Sequence, residues 1–463
     1  MNLFNVEVYR KRRSRLHALM ESGLALFIGN KEAPMNYPAN PYNFRQDSDF
    51  LYYFGIDLPD IAGLMDFDTG KDYIFGNDCG VEDIVWMGPQ PSINDLGGRI
   101  GVSDTFTLSK LSDIINEACQ KGRKVHFLPP YRAETILNLG SLLKENPFKI
   151  RDLSSTALIK AVISMRSAKE PVEVAEIEKA VNISYEMHVE AMKMCKPGIK
   201  EQEIHGRLLG LAYSFGTTPS FPFIISINGQ TLHNHYHSNV LKMGRLMVND
   251  SGVETKLHYT SDITRTTPVG GSFTLRQKEI YEIVLEANNG AIRIAKPGMT
   301  NRDLHKSACR IIATGLKEIG LMKGDMDTAV EMGAHALFFP HGLGHMLGLD
   351  AHDMEALGEK HIGYNDSVKR SDQFGLAYLR FALPLMPGHV ITIEPGCYFI
   401  PELIESWKSE NKFTEFIDYK KVESYLDFGG IRIEDNILIT EESNRLLGKP
   451  IPKSIDDVER ICS

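Results

Sequence analysis

The chain has 463 residues, more than a single hydrophobic core usually organises, so two or more domains are expected. Its 51 Lys and Arg stand against 60 Asp and Glu, and the net charge of -9 argues against a nucleic-acid partner, which would need a basic surface. With 43% hydrophobic residues but no apolar run long enough to span a bilayer, and no leader-like apolar core after Met1, the expectation is a cytoplasmic protein without a membrane partner. The six cysteines are widely spaced with no CxxC pair, which reads as reduced thiols.

In chain order, the first amphipathic helix carries Arg10, Lys11, Arg12 and Arg13, a run read as a solvated face. Residues 1–160 then alternate helical patterns with short apolar strands such as the one from Leu24 and the one from Lys124, the rhythm of an α/β domain. A boundary is placed near 160. Beyond it, Ser167 and Glu170 have capping-box spacing, Pro171 follows, and a long helical period runs through Val174, Ile177, Ala180 and Ile183.

The region 161–463 contains an internal echo. Lys196-Pro197-Gly198 and Lys296-Pro297-Gly298 each close a long helical segment and each precede a second helix with a histidine, at 205 and 305. Duplication of a helix-turn-helix unit follows, giving a domain of pseudo-twofold halves with its site at the centre.

Five settings carry chemistry: Asp250 in VNDSG, Asp262 in TSDITRT, His345 in HGLGHMLGLDAHD, Glu394 in ITIEPG and Glu434 in GGIRIEDN. Each acid lies in or beside a strand-like stretch, and alternation sets it with polar neighbours: Glu394 with Thr392, Glu434 with Arg432 and Asn436, Asp262 with Thr264. A lone acid would be a surface residue. Four on apolar strands would each cost roughly several kcal/mol to bury unpaired, so cations are the economical partners. Two divalent ions would balance four carboxylates, and an oxygen-rich set with one imidazole favours manganese, with cobalt or zinc as alternatives. No HExxH helix is present. Gly342, Gly344 and Gly348 point to close backbone approach around His341, His345 and His352 rather than to a helix. Upstream, His233, His235 and His237 would share one face if that stretch were a strand, so which of them enters the pocket stays open.

In this order the motifs resemble those of the pita-bread metallopeptidases, and above all prolidase and aminopeptidase P. The likeness covers nearly the whole chain, because FRQDSDFLYYFGI and VWMGP in residues 1–160 are similar to the non-catalytic N-terminal domain of aminopeptidase P. It implies an α/β N-terminal domain followed by a pita-bread domain over 161–463. It implies metal ligation by Asp250, Asp262, His345, Glu394 and Glu434, with Asp262 and Glu434 bridging two ions. It also implies catalytic roles for Glu394, His352, His341 and His233, and peptide contacts by Arg380, Arg432 and His235. The substrate would be a small peptide with proline second, and the assembly a homodimer or larger. The long insertion between Glu394 and Glu434, and Arg380 in YLRFALPLMPG, lean toward prolidase, an Xaa-Pro dipeptidase; aminopeptidase P acting on longer peptides is the alternative. A non-catalytic binding module of the same fold would lose metal ligands, whereas all five are here. Two departures stand out. The span from Asp250 to Asp262 is one residue longer than usual in the family, and the family's His-Tyr pair falls at His235 although the distance to Asp250 selects His233.

Overall fold

The computed structural model describes residues 2–463. It forms two compact units: one runs to Arg166 and takes in residues 354–361, the other comprises Ser167–Asp353 and Ile362–Ser463. Residue 160 lies inside the helix Thr156–Arg166, so the chain leaves the first unit only at that helix's end.

The first unit is built on a mixed sheet of β1 (Leu24–Ile28), β2 (Ala62–Asp66), β3 (Lys71–Phe75), β4 (Asp104–Phe106) and β5 (Val125–His126). The order is β4-β3-β2-β1-β5, antiparallel at the centre and parallel at both edges. Leu24, Leu26, Leu64 and Phe75 bury one face against Ile115, Leu139 and Ile150. Helix α1 (Val6–Leu19) starts where the Asn5 side chain accepts the Glu7 N–H.

The basic run on α1 is corrected by the structure. Arg12 and Arg13 are each only 1% exposed. Arg13 donates to Asp72, to the Tyr53 carbonyl and to the Ile100 carbonyl, while Arg12 lies over the Tyr52 ring and donates to that residue's carbonyl. Tyr52 and Tyr53 belong to α2 (Ser48–Phe54), whose last carbonyls need donors. Two arginines therefore serve as buried links between α1 and α2, which a charge run alone does not reveal.

The second unit has four long helices: α3 (Pro171–Met194), α4 (Glu201–Ser214), α5 (Leu275–Ile294) and α6 (Asn301–Glu318). Helix α3 begins three residues later than the Ser167 box suggests. Its cap is Glu170, whose N–H is accepted by the Glu173 carboxylate, with Pro171 at the first helical position.

The echo in the sequence is a true structural repeat. Gly198 and Gly298 adopt φ of +92° and +85°, a left-handed conformation suited to glycine. Each donates to a leucine carbonyl far along the chain, Leu241 and Leu385, and those leucines donate back to Ile199 and Met299. The first residues of α4 and α6 repeat the pattern, with Glu201 N–H donating to Asn239 and Asn301 N–H to Leu383.

Each half adds strands. In the first half, β6 (Thr218–Pro219) pairs with β9 (Val253–Glu254), and β7 (Ile224–Ser226), β8 (Leu246–Ser251) and β10 (Ile263–Pro268) form a sheet with β8 central. In the second, β11 (Val390–Ile393), β14 (Asp435–Ile439) and β15 (Asn444–Leu446) form another, while β12 (Gly396–Tyr398) pairs with β13 (Gly430–Arg432). The halves are stitched at their centre. Glu434 N–H donates to the Thr264 carbonyl, and Asn436 clamps Asp262 by accepting its N–H and donating to its carbonyl at 2.6 Å.

Candidate metal centre

Asp250 sits near the end of β8, opposite Thr264 of β10. The chain then turns through Thr255–His258, where His258 takes a φ of +65°, and returns so that Asp262 immediately precedes β10. Glu394 follows β11 directly, and Glu434 bridges β13 and β14. His345 comes from an extended stretch laid along β11: Thr392 N–H donates to the His345 carbonyl, and Glu394 N–H to Leu343 at 2.7 Å. Gly344 is dictated by that approach, since a Cβ on it would lie 1.9 Å from the Thr392 carbonyl oxygen.

These elements converge. One ligating atom each from Asp262, His345 and Glu434 lies within 4.8 Å of the others, all three residues buried. His345 Nε2 is 3.5 Å from Asp262 Oδ2 and 3.5 Å from Glu394 Oε1. The opposite nitrogen, Nδ1, is 3.0 Å from the Met346 carbonyl, which holds the proton there and leaves Nε2 as a lone pair toward the acids. Burial, reinforced by His352, keeps this imidazole well below its usual pKa and hence neutral.

Without cations the acids repel. Burial first, then Asp250 and Glu394, push Asp262 well up; burial and Asp262 do the same to Glu434; and burial raises Glu394 to about 8 despite Arg432. Asp250 Oδ1 is buried with no hydrogen-bond partner, although Oδ2 accepts from Arg432 at 2.6 Å. A neutral imidazole lone pair, a buried carboxylate oxygen without a donor and three mutually repelling acids are what divalent cations would satisfy. The residues fit such ions.

Other expected residues take definite places. His341 lies between Tyr398 Oη and the Gly342 carbonyl, each at 2.8 Å, with Nδ1 3.9 Å from Glu394. The His352 ring is 4.3 Å from that of His345. Arg380 bears electrostatically on His233, His345 and Glu394. His233, at an exposed position, is under the influence of Arg432, Asp250, His352 and Arg380, whereas His235 acts on His205. The stretch is irregular rather than a strand, so alternation does not apply; of the two, His233 is the one influenced by the Asp250 carboxylate. Arg432, expected to contact peptide, is turned elsewhere: its guanidinium donates to Asp250, Thr264 and Tyr398. Its donors are taken up within the acidic cluster, where Thr264 also donates to Glu434 at 2.8 Å. Tyr398 was missed by the motif reading. Its signal was its place four residues after Glu394, on the same alternation.

Comparison with known proteins shows the family. Residues 175–441 match metallopeptidase family M24 and residues 9–126 the aminopeptidase P N-terminal domain. The chain therefore belongs to metallopeptidase family M24 and is a metal-dependent hydrolase. It is 29% identical over 459 residues to a human Xaa-Pro dipeptidase, covering 96% of this chain and 90% of that one. It is 32% identical to a probable Xaa-Pro aminopeptidase of Fusarium vanettenii, covering 91% and 88%. An Escherichia coli aminopeptidase P variant in complex with substrate superposes with a TM-score of 0.81 at 28% identity, over 100% of this chain and 99% of that one. Among the described residues no helix is long and apolar enough to cross a membrane.

Proposed function

We propose that this chain hydrolyses the bond between an N-terminal residue and a following proline, with dipeptides as its main substrates and two manganese ions as its cofactor. The Xaa-Pro bond is a tertiary amide with no N–H, so a peptidase that grips that donor loses its hold, whereas a metal-centred site does not need it. The ions would be held by Asp250, Asp262, His345, Glu394 and Glu434. When bound they supply Lewis acidity and a water acidic enough to attack at neutral pH.

The chain's own groups do the rest. Glu394, which lies 3.5 Å from His345 and 3.9 Å from His341, takes the proton of the attacking water and passes it to the departing prolyl nitrogen. His352 donates to the developing oxyanion, an effect typically worth about 3 kcal/mol. His341 and His233 line the peptide's path, and Tyr398 holds His341 in place.

The observation that carries the dipeptide reading is Arg380. Its charge acts on Glu394, His345 and His233 together, where a guanidinium would pair with the carboxylate of a C-terminal proline. The likeness to solved aminopeptidases P favours a second reading, cleavage of longer peptides. Rates on Gly-Pro and Ala-Pro-Ala separate the two. The dipeptidase reading expects turnover of Gly-Pro alone, with Arg380→Met raising its KM roughly 10-fold or more. Efficient cleavage of Ala-Pro-Ala, unchanged by Arg380→Met, would overturn it.

A further inference from the structure

The second half holds another group of metal-type donors, chemically unlike the carboxylate centre. His305 and Cys309 lie one turn apart on α6, and His335 comes from a short 3-10 turn, Ala334–Leu337. Their exposures are 1%, 0% and 3%. One ligating atom from each lies within 4.8 Å of the others, and Cys309 Sγ is 3.4 Å from His305 Nε2. Yet His305 Nδ1 and both ring nitrogens of His335 are buried without any hydrogen-bond partner. A buried polar atom without a partner is unfavourable, and the concentration of such atoms in one cluster points to an occupant that would take one nitrogen from each ring.

We propose that His305, Cys309 and His335 form a second metal site, for a thiophilic closed-shell cation, zinc(II) or copper(I). An imidazole-imidazole-thiolate set selects those ions over the oxygen-seeking ones suited to the acidic centre. The donors are ready: burial pulls His305 down to about 3 and His335 to about 4, so both rings are neutral lone-pair donors. Burial holds the Cys309 thiol protonated, so binding would replace the S–H bond by a sulfur–metal bond and release the proton to solvent. Copper(I) with one thiolate leaves no net charge in this interior.

The site would act as a staple. The Phe339 ring lies 5.5 Å from His305 and 4.8 Å from His341, so an ion tying α6 to the turn at His335 would steady the wall that carries His341. The first half has no such set, because the residue corresponding to Cys309, 100 positions earlier, is Leu209.

The test uses full-length protein stripped with chelator and titrated with cobalt(II) as a spectroscopic stand-in for zinc(II), and, in a separate anaerobic arm, with copper(I) against a colorimetric competitor. The acidic centre has no sulfur, so a thiolate-to-cobalt absorption in the near ultraviolet reports a cysteine ligand, and its loss in Cys309→Ser separates Cys309 from the other five free cysteines. The expected result is one equivalent of thiolate-bound ion in at least one arm, reduced tenfold or more in Cys309→Ser. Should that variant fold poorly, mass-spectrometric alkylation of the unaltered protein in mild urea serves instead, with zinc(II) or copper(I) slowing modification of Cys309. No Cys309-dependent signal in either arm, and equal alkylation with and without both ions, would overturn the proposal.

Discussion

The two halves of the catalytic unit share a frame and differ in what they mount on it. Around Gly198 and Gly298 the backbone hydrogen bonds repeat partner for partner, yet the first half contributes two aspartates from one strand pair and the second a histidine and two glutamates from three separate segments. Each half also has one glycine that admits no side chain beside its ligands: a Cβ on Gly252 would lie 1.9 Å from the Ser261 carbonyl, as one on Gly344 would from Thr392. What repeats is the means of bringing backbone close; what diverges is the donor. A site assembled across such a seam requires both halves, and its electrostatics belong to neither alone.

The largest effect should come from removing one ligand on either side of the seam. Asp262→Ala and Glu394→Ala are each expected to lower kcat/KM by about 1,000-fold or more and to weaken metal binding, as read by steady-state kinetics and metal analysis. A near-normal rate in either would mean that one half suffices.

Next come the two glycines. Gly252→Ala and Gly344→Ala each force a methyl group onto a carbonyl oxygen and should destabilise the fold by about 2–3 kcal/mol in urea unfolding. If only one of them does, the halves do not share this device.

Arg432 spans the seam, joining Asp250 and Thr264 of the first half to Tyr398 of the second. Arg432→Lys loses the fork of donors and is expected to weaken metal affinity by roughly 10-fold or more, with less effect on KM. A change confined to KM would restore it as a peptide contact.

The smallest effect is on pH dependence. In chelated protein Glu394 titrates at about 8, above its unfolded value, so between about pH 6.5 and 8 the folded state holds a proton that the unfolded state has lost. Stability of the chelated protein should therefore fall as pH rises through that window. Below it, the depressed histidines, including His341 at about 3, favour unfolding as the unfolded chain takes up protons. Saturating manganese should abolish the fall between pH 6.5 and 8, measured by thermal unfolding.

Much of the acidic centre was legible because the metal demands acids on otherwise apolar strands, and period-two alternation sorts their faces. The repeat was legible because Lys-Pro-Gly punctuates both copies. The buried roles of Arg12 and Arg13 were not, since they depend on carbonyls of Tyr52, Tyr53 and Ile100, far along the chain. The role of Arg432 was hidden likewise: strand alternation placed it beside Glu434, but its partner Asp250 lies 182 residues away. His305 and His335 showed no motif, and only their packing reveals nitrogens without partners.

Anomalous diffraction at the manganese edge from crystals grown with the metal tests the central claim most directly. Two adjacent peaks enclosed by Asp250, Asp262, His345, Glu394 and Glu434 are the result expected here. Fully occupied manganese elsewhere, with these five side chains holding none, would contradict it.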